Sequence, residues 1–246
     1  MDRLLYIAMS GAKETLRAQT ANNHNLANVS TAGFRADLSA FQSRAVVGSG
    51  FASRVYATNE TTGWDHSSGS LQSTGRDLDV AVNGEGWLAV QGKNGREAYT
   101  RAGDLRVDSN GMLLDGAGHP VLGDGGPITV PPSTSMTIGG DGSISIVPLG
   151  QGPSTTAVIG RIKLVNPPTA SLERGEDGLF RTTDGTDAPA DAAVRLSSGT
   201  LESSNVNIAD VMVNMIELSR HYDLQVKAMR SAEENATSSA QLLKLA

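Results

Sequence analysis

The sequence predicts a mixed α and β protein. Its N- and C-terminal helices pair as a coiled-coil-like bundle, and a central, mostly antiparallel β domain lies between them. The first observation behind this is a shared rhythm at the two ends. Leu5, Ala8, Ala12, Thr15, Gln19, Asn22 and Leu26 follow an alternating 3-4 spacing, as do Ile208, Val211, Met215, Leu218, Tyr222, Gln225, Met229, Ala232, Ala236, Ser239 and Leu243. A stripe of this kind faces a partner helix. The second is a middle rich in Gly, Asp, Ser and Thr, punctuated by Asn94-Gly95, Asn110-Gly111, Asp115-Gly116, Asp141-Gly142 and Asp184-Gly185. Such pairs accept the positive φ of tight hairpins, so a meander or a small barrel-like sheet is expected. The chain then divides into an N-terminal helix and signature turn (1–34), an extended connector (35–75), a β-rich outer domain (76–196) and a C-terminal helix (197–246).

The first helix spans 2–26, weakened by Gly11 at a cost of about 1 kcal/mol relative to Ala. Asn22, Asn23, Asn25 and Asn28 follow, whose short amides compete for backbone hydrogen bonds and favour helix ends. Ser30-Thr31-Ala32-Gly33 stops the helix, because Gly33 can take positive φ. The connector has single aromatics (Phe41, Phe51, Tyr56, Trp64) and poor periodicity, and reads as extended or mobile. Strands are expected at 77–82, 87–90, 96–100, 105–107, 112–114, 120–122, 128–130, 136–138, 143–147, 158–165 and 178–182. Pro131-Pro132 and Pro167-Pro168 cannot donate ladder bonds and should mark edges or loops. The last helix runs over 207–244, opened by Asn207 with Asp210 three residues on, an imperfect capping box.

Composition narrows function. The net charge of −6 provides no basic footprint for nucleic acid and no polybasic patch for an anionic membrane. With no cysteine there is no disulfide, thiolate metal site or cysteine nucleophile. No window approaches the length of a membrane span, and the short apolar run Leu4–Met9 falls short of a cleaved signal peptide. Gly84-Glu85-Gly86-Trp87-Leu88-Ala89 mimics a dinucleotide fingerprint, but a strand-like run follows where a helix is needed, so a hairpin turn is expected. Ser10-Gly11-Ala12-Lys13 lacks the companion elements of serine acyl-enzymes. Counted from Asp108, the twelfth place of a calcium loop is His119, which has no carboxylate. None of the four histidines stands in a metal-binding pattern. Catalytic, cofactor and metal sites are therefore expected to be absent, and the chain is not expected to be an enzyme.

Three blocks point to a known family. Asn23-His24-Asn25-Leu26-Ala27-Asn28-Val29-Ser30-Thr31-Ala32-Gly33-Phe34-Arg35 resembles the N-terminal signature of bacterial flagellar rod and hook proteins, with His24 in place of the usual Asn and Arg35 in place of the more frequent Lys. Asp77–Trp87 and Tyr99–Leu105 are similar to that family's central elements. Leu201–Asn207 and Met215–Tyr222 are similar to its C-terminal ones, though Asn207 stands where Asp is usual. The opening residues and compact length look most like proximal-rod members, with distal-rod members next.

The resemblance implies a structural subunit of the flagellar basal-body rod. It would be exported uncleaved through the flagellar type III apparatus, would polymerise through its terminal helices into the hollow periplasmic drive shaft, and would transmit torque. Partners would be other rod proteins and copies of itself, with no nucleic acid, no small-molecule substrate and no membrane insertion. The residues expected at the assembly interface are Leu5, Ala8, Ala12, Leu16, Leu26, Asn28, Gly33, Phe34, Ile208, Val211, Met215, Leu218, Tyr222, Met229 and Leu243. Helices this polar are marginal alone, so the ends are expected to order only when neighbours cover them. A second reading, a secreted β-rich adhesin or binding module with helical oligomerisation ends, would instead demand a ligand pocket within 76–195.

Overall fold

The structure, a computed structural model, describes residues 2–45, 55–151 and 155–244. Two compact units emerge. One comprises Met1–Val29, Ala36–Asp65 and Val206–Ala246, the other Ser30–Arg35 and His66–Asn205.

In the first unit, α1 (Asp2–Ala27) and α2 (Ile208–Lys244) pack against each other. They run antiparallel, since Gly11 meets Gln225 while Asn22 meets Val211 further along α1. The approach is close. A β-carbon at Gly11 would lie 2.9 Å from Gln225 Cδ, the end of a flexible side chain that can shift, so the glycine marks where the helices meet. Burial on α2 keeps the expected beat: Val211 and Ala232 are buried, and Met215, Leu218, Tyr222, Gln225, Met229, Ala236 and Ser239 are half-buried. On α1, Ala8, Ala12, Thr15 and Asn22 are buried, and so are Glu14, Ala18 and Asn25. Those additional positions arise because α1 also packs along a hairpin, β1 (Asp37–Ala45) and β2 (Val55–Trp64). The hairpin occupies the stretch expected as a connector. A register shift between Leu38 and Ser39 breaks its alternation, and its face owes its cover to α1, so strand periodicity alone was faint. The expectation that the ends stay unordered without sister copies meets a chain that supplies each polar helix with an internal partner. Asn207 opens α2 by accepting the Ala209 amide on Oδ1 at 3.0 Å.

The second unit holds β3 (Leu71–Ser73), β4 (Val80–Asn83), β5 (Trp87–Gln91) and β6 (Glu97–Thr100). A five-stranded sheet runs in the order Leu164–Val165, β5, β6, Phe180–Thr182, Leu172–Arg174. A three-stranded sheet orders Ser133–Ile138, Ser143–Pro148 and Ala157–Arg161. Every strand pairing is antiparallel. One core joins the layers, with Val80, Leu88, Val90, Leu105, Leu113, Ile144 and Ile162 at its centre.

Three expectations change. The Gly84–Gly86 loop is no hairpin: β4 pairs with Arg195–Ser198 while β5 pairs with β6, so the loop crosses between sheets. Residues 128–130 form no strand and instead join through the Met112↔Thr129 bridge and the Ile128 carbonyl. The stretch 158–165 splits into Ala157–Arg161 and Leu164–Val165, which belong to different sheets. In each case long-range pairing, invisible to local pattern, decides the outcome.

Candidate functional site

The N-terminal signature is a row of short amides and small residues, and the structure gives most of them a task. In the first unit, Asn22 Nδ2 donates to the Val211 carbonyl at 2.9 Å, tying α1 to the first turn of α2. Asn25 imitates a strand neighbour. Its Nδ2 donates to the Asp37 carbonyl at 2.9 Å while its Oδ1 accepts the Asp37 amide at 2.7 Å, pinning the base of the hairpin. His24 Nδ1 lies 2.6 Å from Asp37 Oδ2. Asn28 Nδ2 donates to the His24 carbonyl at 2.9 Å, adding a side-chain bond to the acceptor that the Asn28 backbone amide also reaches at 3.2 Å.

In the second unit, the end of the signature meets the other two motif blocks at one carboxylate. Glu202, on the strand Thr200–Glu202, is 1% exposed. Arg35 Nη1 sits 2.6 Å from its Oε1, and Arg101 Nη1 lies 2.9 Å from its Oε2. The guanidinium-bearing residues are 1% and 5% exposed, so all three charges are out of water. The Gly69 amide also donates to Oε1, at 2.9 Å. Burial lowers the Arg101 pKa from its usual value, and the Glu202 charge pulls it back up.

Aromatic rings wall this cluster. Arg174 lies 4.4 Å over the Phe34 ring and 5.7 Å from that of Phe180, and it donates to the Arg35 carbonyl at 2.9 Å. Arg101 lies 5.3 Å over Trp87, which packs on Phe180 at 4.6 Å. Gly33 (φ 67°) is required here. Its amide donates to the Glu202 carbonyl at 2.8 Å, and a β-carbon would fall 2.2 Å from the Arg101 backbone.

This arrangement fastens segments of the second unit together. Among the described residues, no cluster of three His, Cys, Asp or Glu could hold a metal ion. Two open concavities of about 760 and 410 Å³ lie on the β unit; neither is lined by a histidine.

The residues expected at an assembly interface scatter across environments. Leu5, Leu16 and Ile208 are exposed, and Ala8, Ala12 and Val211 are buried. Leu26, Asn28, Met215, Leu218, Tyr222 and Met229 are half-buried. Gly33 and Phe34 are buried inside the second unit. The Leu243 side chain lies outside the described residues. Sequence reasoning missed Glu202, Arg35 and Arg101 as a set. The available signal was that Arg35, Arg101 and Glu202 each stand inside one of the three motif blocks, Arg101 as the one Lys or Arg of the central elements.

Comparison with known proteins defines the class first. Residues 81–146 match the family model described as the flagellar hook protein FlgE/F/G D1 domain, and residues 197–242 match that of the flagellar basal body rod FlgEFG protein C-terminal region. The chain is 43% identical to the flagellar basal-body rod protein FlgF of Salmonella typhimurium and 42% identical to that of Escherichia coli, each over 100% of both chains. It is 32% identical to the rod protein FlgG of Buchnera aphidicola, over 94% of this chain and 97% of that one. The chain belongs to the flagellar basal-body rod protein family, and it is more similar to these FlgF proteins than to FlgG. It is thus a structural subunit of the flagellar basal body, with FlgG-like character the weaker alternative.

Proposed function

We propose that this subunit joins the periplasmic rod through the outer faces of its terminal helices, beside other rod proteins and copies of itself, and transmits motor torque there. It reaches that place unfolded through the flagellar type III apparatus, and its role there is structural rather than catalytic. The observation that carries this is what remains uncovered after α1 and α2 have packed together. Leu4, Leu5, Tyr6, Met9 and Leu16 on α1, with Ile208, Met212, Val213, Ile216 and Leu224 on α2, are all exposed. A set of large apolar side chains on two helices that have already paired marks a surface for further helices. The half-buried Met215, Leu218, Tyr222 and Met229 hold the internal pair, and the exposed Leu5, Leu16 and Ile208 belong to the outer contact. Repetition of one head-to-tail contact without ring closure yields an open helix of subunits.

The test is complementation of a deletion strain with Leu16→Asp and, separately, Ile216→Asp. Each variant should fold like the parent by circular dichroism yet fail to enter basal bodies seen by electron microscopy. Rods assembled normally from either variant would remove the helices' outer faces from the interface. A deletion strain that still builds a complete rod would reject the rod role itself.

A further inference from the structure

The second unit is discontinuous, and the chain passes its boundary at 29/30, 35/36, 65/66 and 205/206. The segments just inside those boundaries lie side by side. Residues 201–205 form the middle. On one flank, β3 pairs with Thr200–Glu202 in the register Leu71↔Glu202 to Ser73↔Thr200. That pairing is extended outward by Gly69 donating to Glu202 Oε1 and by Ser70 and Ser203 bonding through both backbone and hydroxyls. Asn205 Nδ2 reaches the Ser67 carbonyl at 3.0 Å. On the other flank, Gly33 donates to the Glu202 carbonyl at 2.8 Å, and the Asn205 amide donates to the Phe34 carbonyl at 3.3 Å. Arg35, next to the 35/36 passage, is held by the Glu202 carboxylate.

We propose that Glu202 is the centre of a mechanical clamp. It binds the chain's passages into the β unit as one bundle, so that force arriving along any of them is shared by all three segments. The chemistry suits the task. A carboxylate that serves two guanidinium groups and a backbone amide cannot release a guanidinium without leaving buried charge uncompensated, nor the amide without leaving a buried donor unsatisfied, so the segments let go together or not at all. Gly33 and Glu202 are far apart in sequence, and within the β unit the clamp brings the first passage against the last. The purpose assigned to the clamp, carrying load, rests on the rod function proposed above; its cooperative character does not.

The test uses the purified full-length chain and amide hydrogen exchange. Replacing Glu202 itself risks unfolding, so the informative variant is Ser203→Ala with Asn205→Ala, which spares every buried charge. A cooperative clamp requires the Gly33, Gly69 and Ser70 amides to exchange faster together, by about ten-fold or more, while β5 and β6 amides keep the parent's protection and report an intact fold. Faster exchange at Ser70 alone, with Gly33 and Gly69 unchanged, would show independent segments and overturn the proposal. In a strain lacking the chain, the same variant should swim like the parent in dilute medium and fall behind it in viscous medium. Parity in viscous medium would overturn the load-carrying role. Failure of the parent chain itself to restore swimming would count against the rod reading, leaving the exchange result to judge the clamp.

Discussion

Truncation of Glu202 to alanine removes the one carboxylate shared by Arg35 and Arg101, at contacts of 2.6 and 2.9 Å. Two guanidinium groups would remain where the residues are 1% and 5% exposed, with no anion between them. Breaking a buried ion pair in this way costs about 3–5 kcal/mol. The Gly69 amide loses its acceptor as well, which adds to the cost. A domain's whole stability is about 5–15 kcal/mol, so this single change consumes a large part of it. At about 2–4 °C per kcal/mol for a chain of this size, the calorimetric transition of the β unit should fall by about 6–20 °C. The companion variant is Arg35→Met with Arg101→Met and Glu202→Leu. Removing all three charges together leaves no buried charge without its partner, though the Gly69 amide still lacks its acceptor, so a large part of the lost stability should return. A fall below about 1 kcal/mol for Glu202→Ala, the size expected of a solvated surface pair, would refute the claim that these charges are coupled out of water.

Three further outcomes follow from the geometry. Asp104 is held above the usual carboxylate range by burial first and by the nearby Asp115 and Asp79 charges next, against the Gly116 amide, so its stabilisation is full at low pH and is lost as pH rises through its raised folded pKa. Thermal melts of Asp104→Asn should therefore gain on the parent between about pH 3 and pH 7, and a flat or reversed difference would exclude the cluster as its cause. Gly103→Ala would place a β-carbon 1.6 Å from the Val80 carbonyl oxygen, a contact with backbone that cannot step aside, and should destabilise the β unit by about 3 kcal/mol or more in denaturant titration. Asn25→Ala deletes both bonds to the Asp37 backbone and should cost about 1–3 kcal/mol, seen as faster amide exchange in β1 and β2 while the β unit stays protected.

The fold was legible where its signal is local. The 3-4 beat of α2 matches its burial from Val211 to Ser239 because a paired helix buries one stripe of its own surface. Asn94-Gly95 and Asp141-Gly142 turn where expected because positive φ is a property of the residues at the turn, and Gly95 and Gly142 adopt it. The β1–β2 hairpin was not legible, since a bulge breaks its alternation and its cover comes from α1. Nor was the separation of β4 from β5, since β4 takes its partner from Arg195–Ser198, far along the chain, while β5 pairs with the neighbouring β6.

The motif blocks were equally visible as text, and text alone established their order, their family likeness and the helical character of both ends. It could not show that Arg35, Arg101 and Glu202 converge. Their meeting depends on an ion triad whose members are separated by most of the chain, stable only where packing has excluded water around all three. Helix periodicity is written in neighbouring residues, whereas the pairing of buried charges is written only in the folded interior. That difference divides what the sequence determined from what the tertiary structure decided.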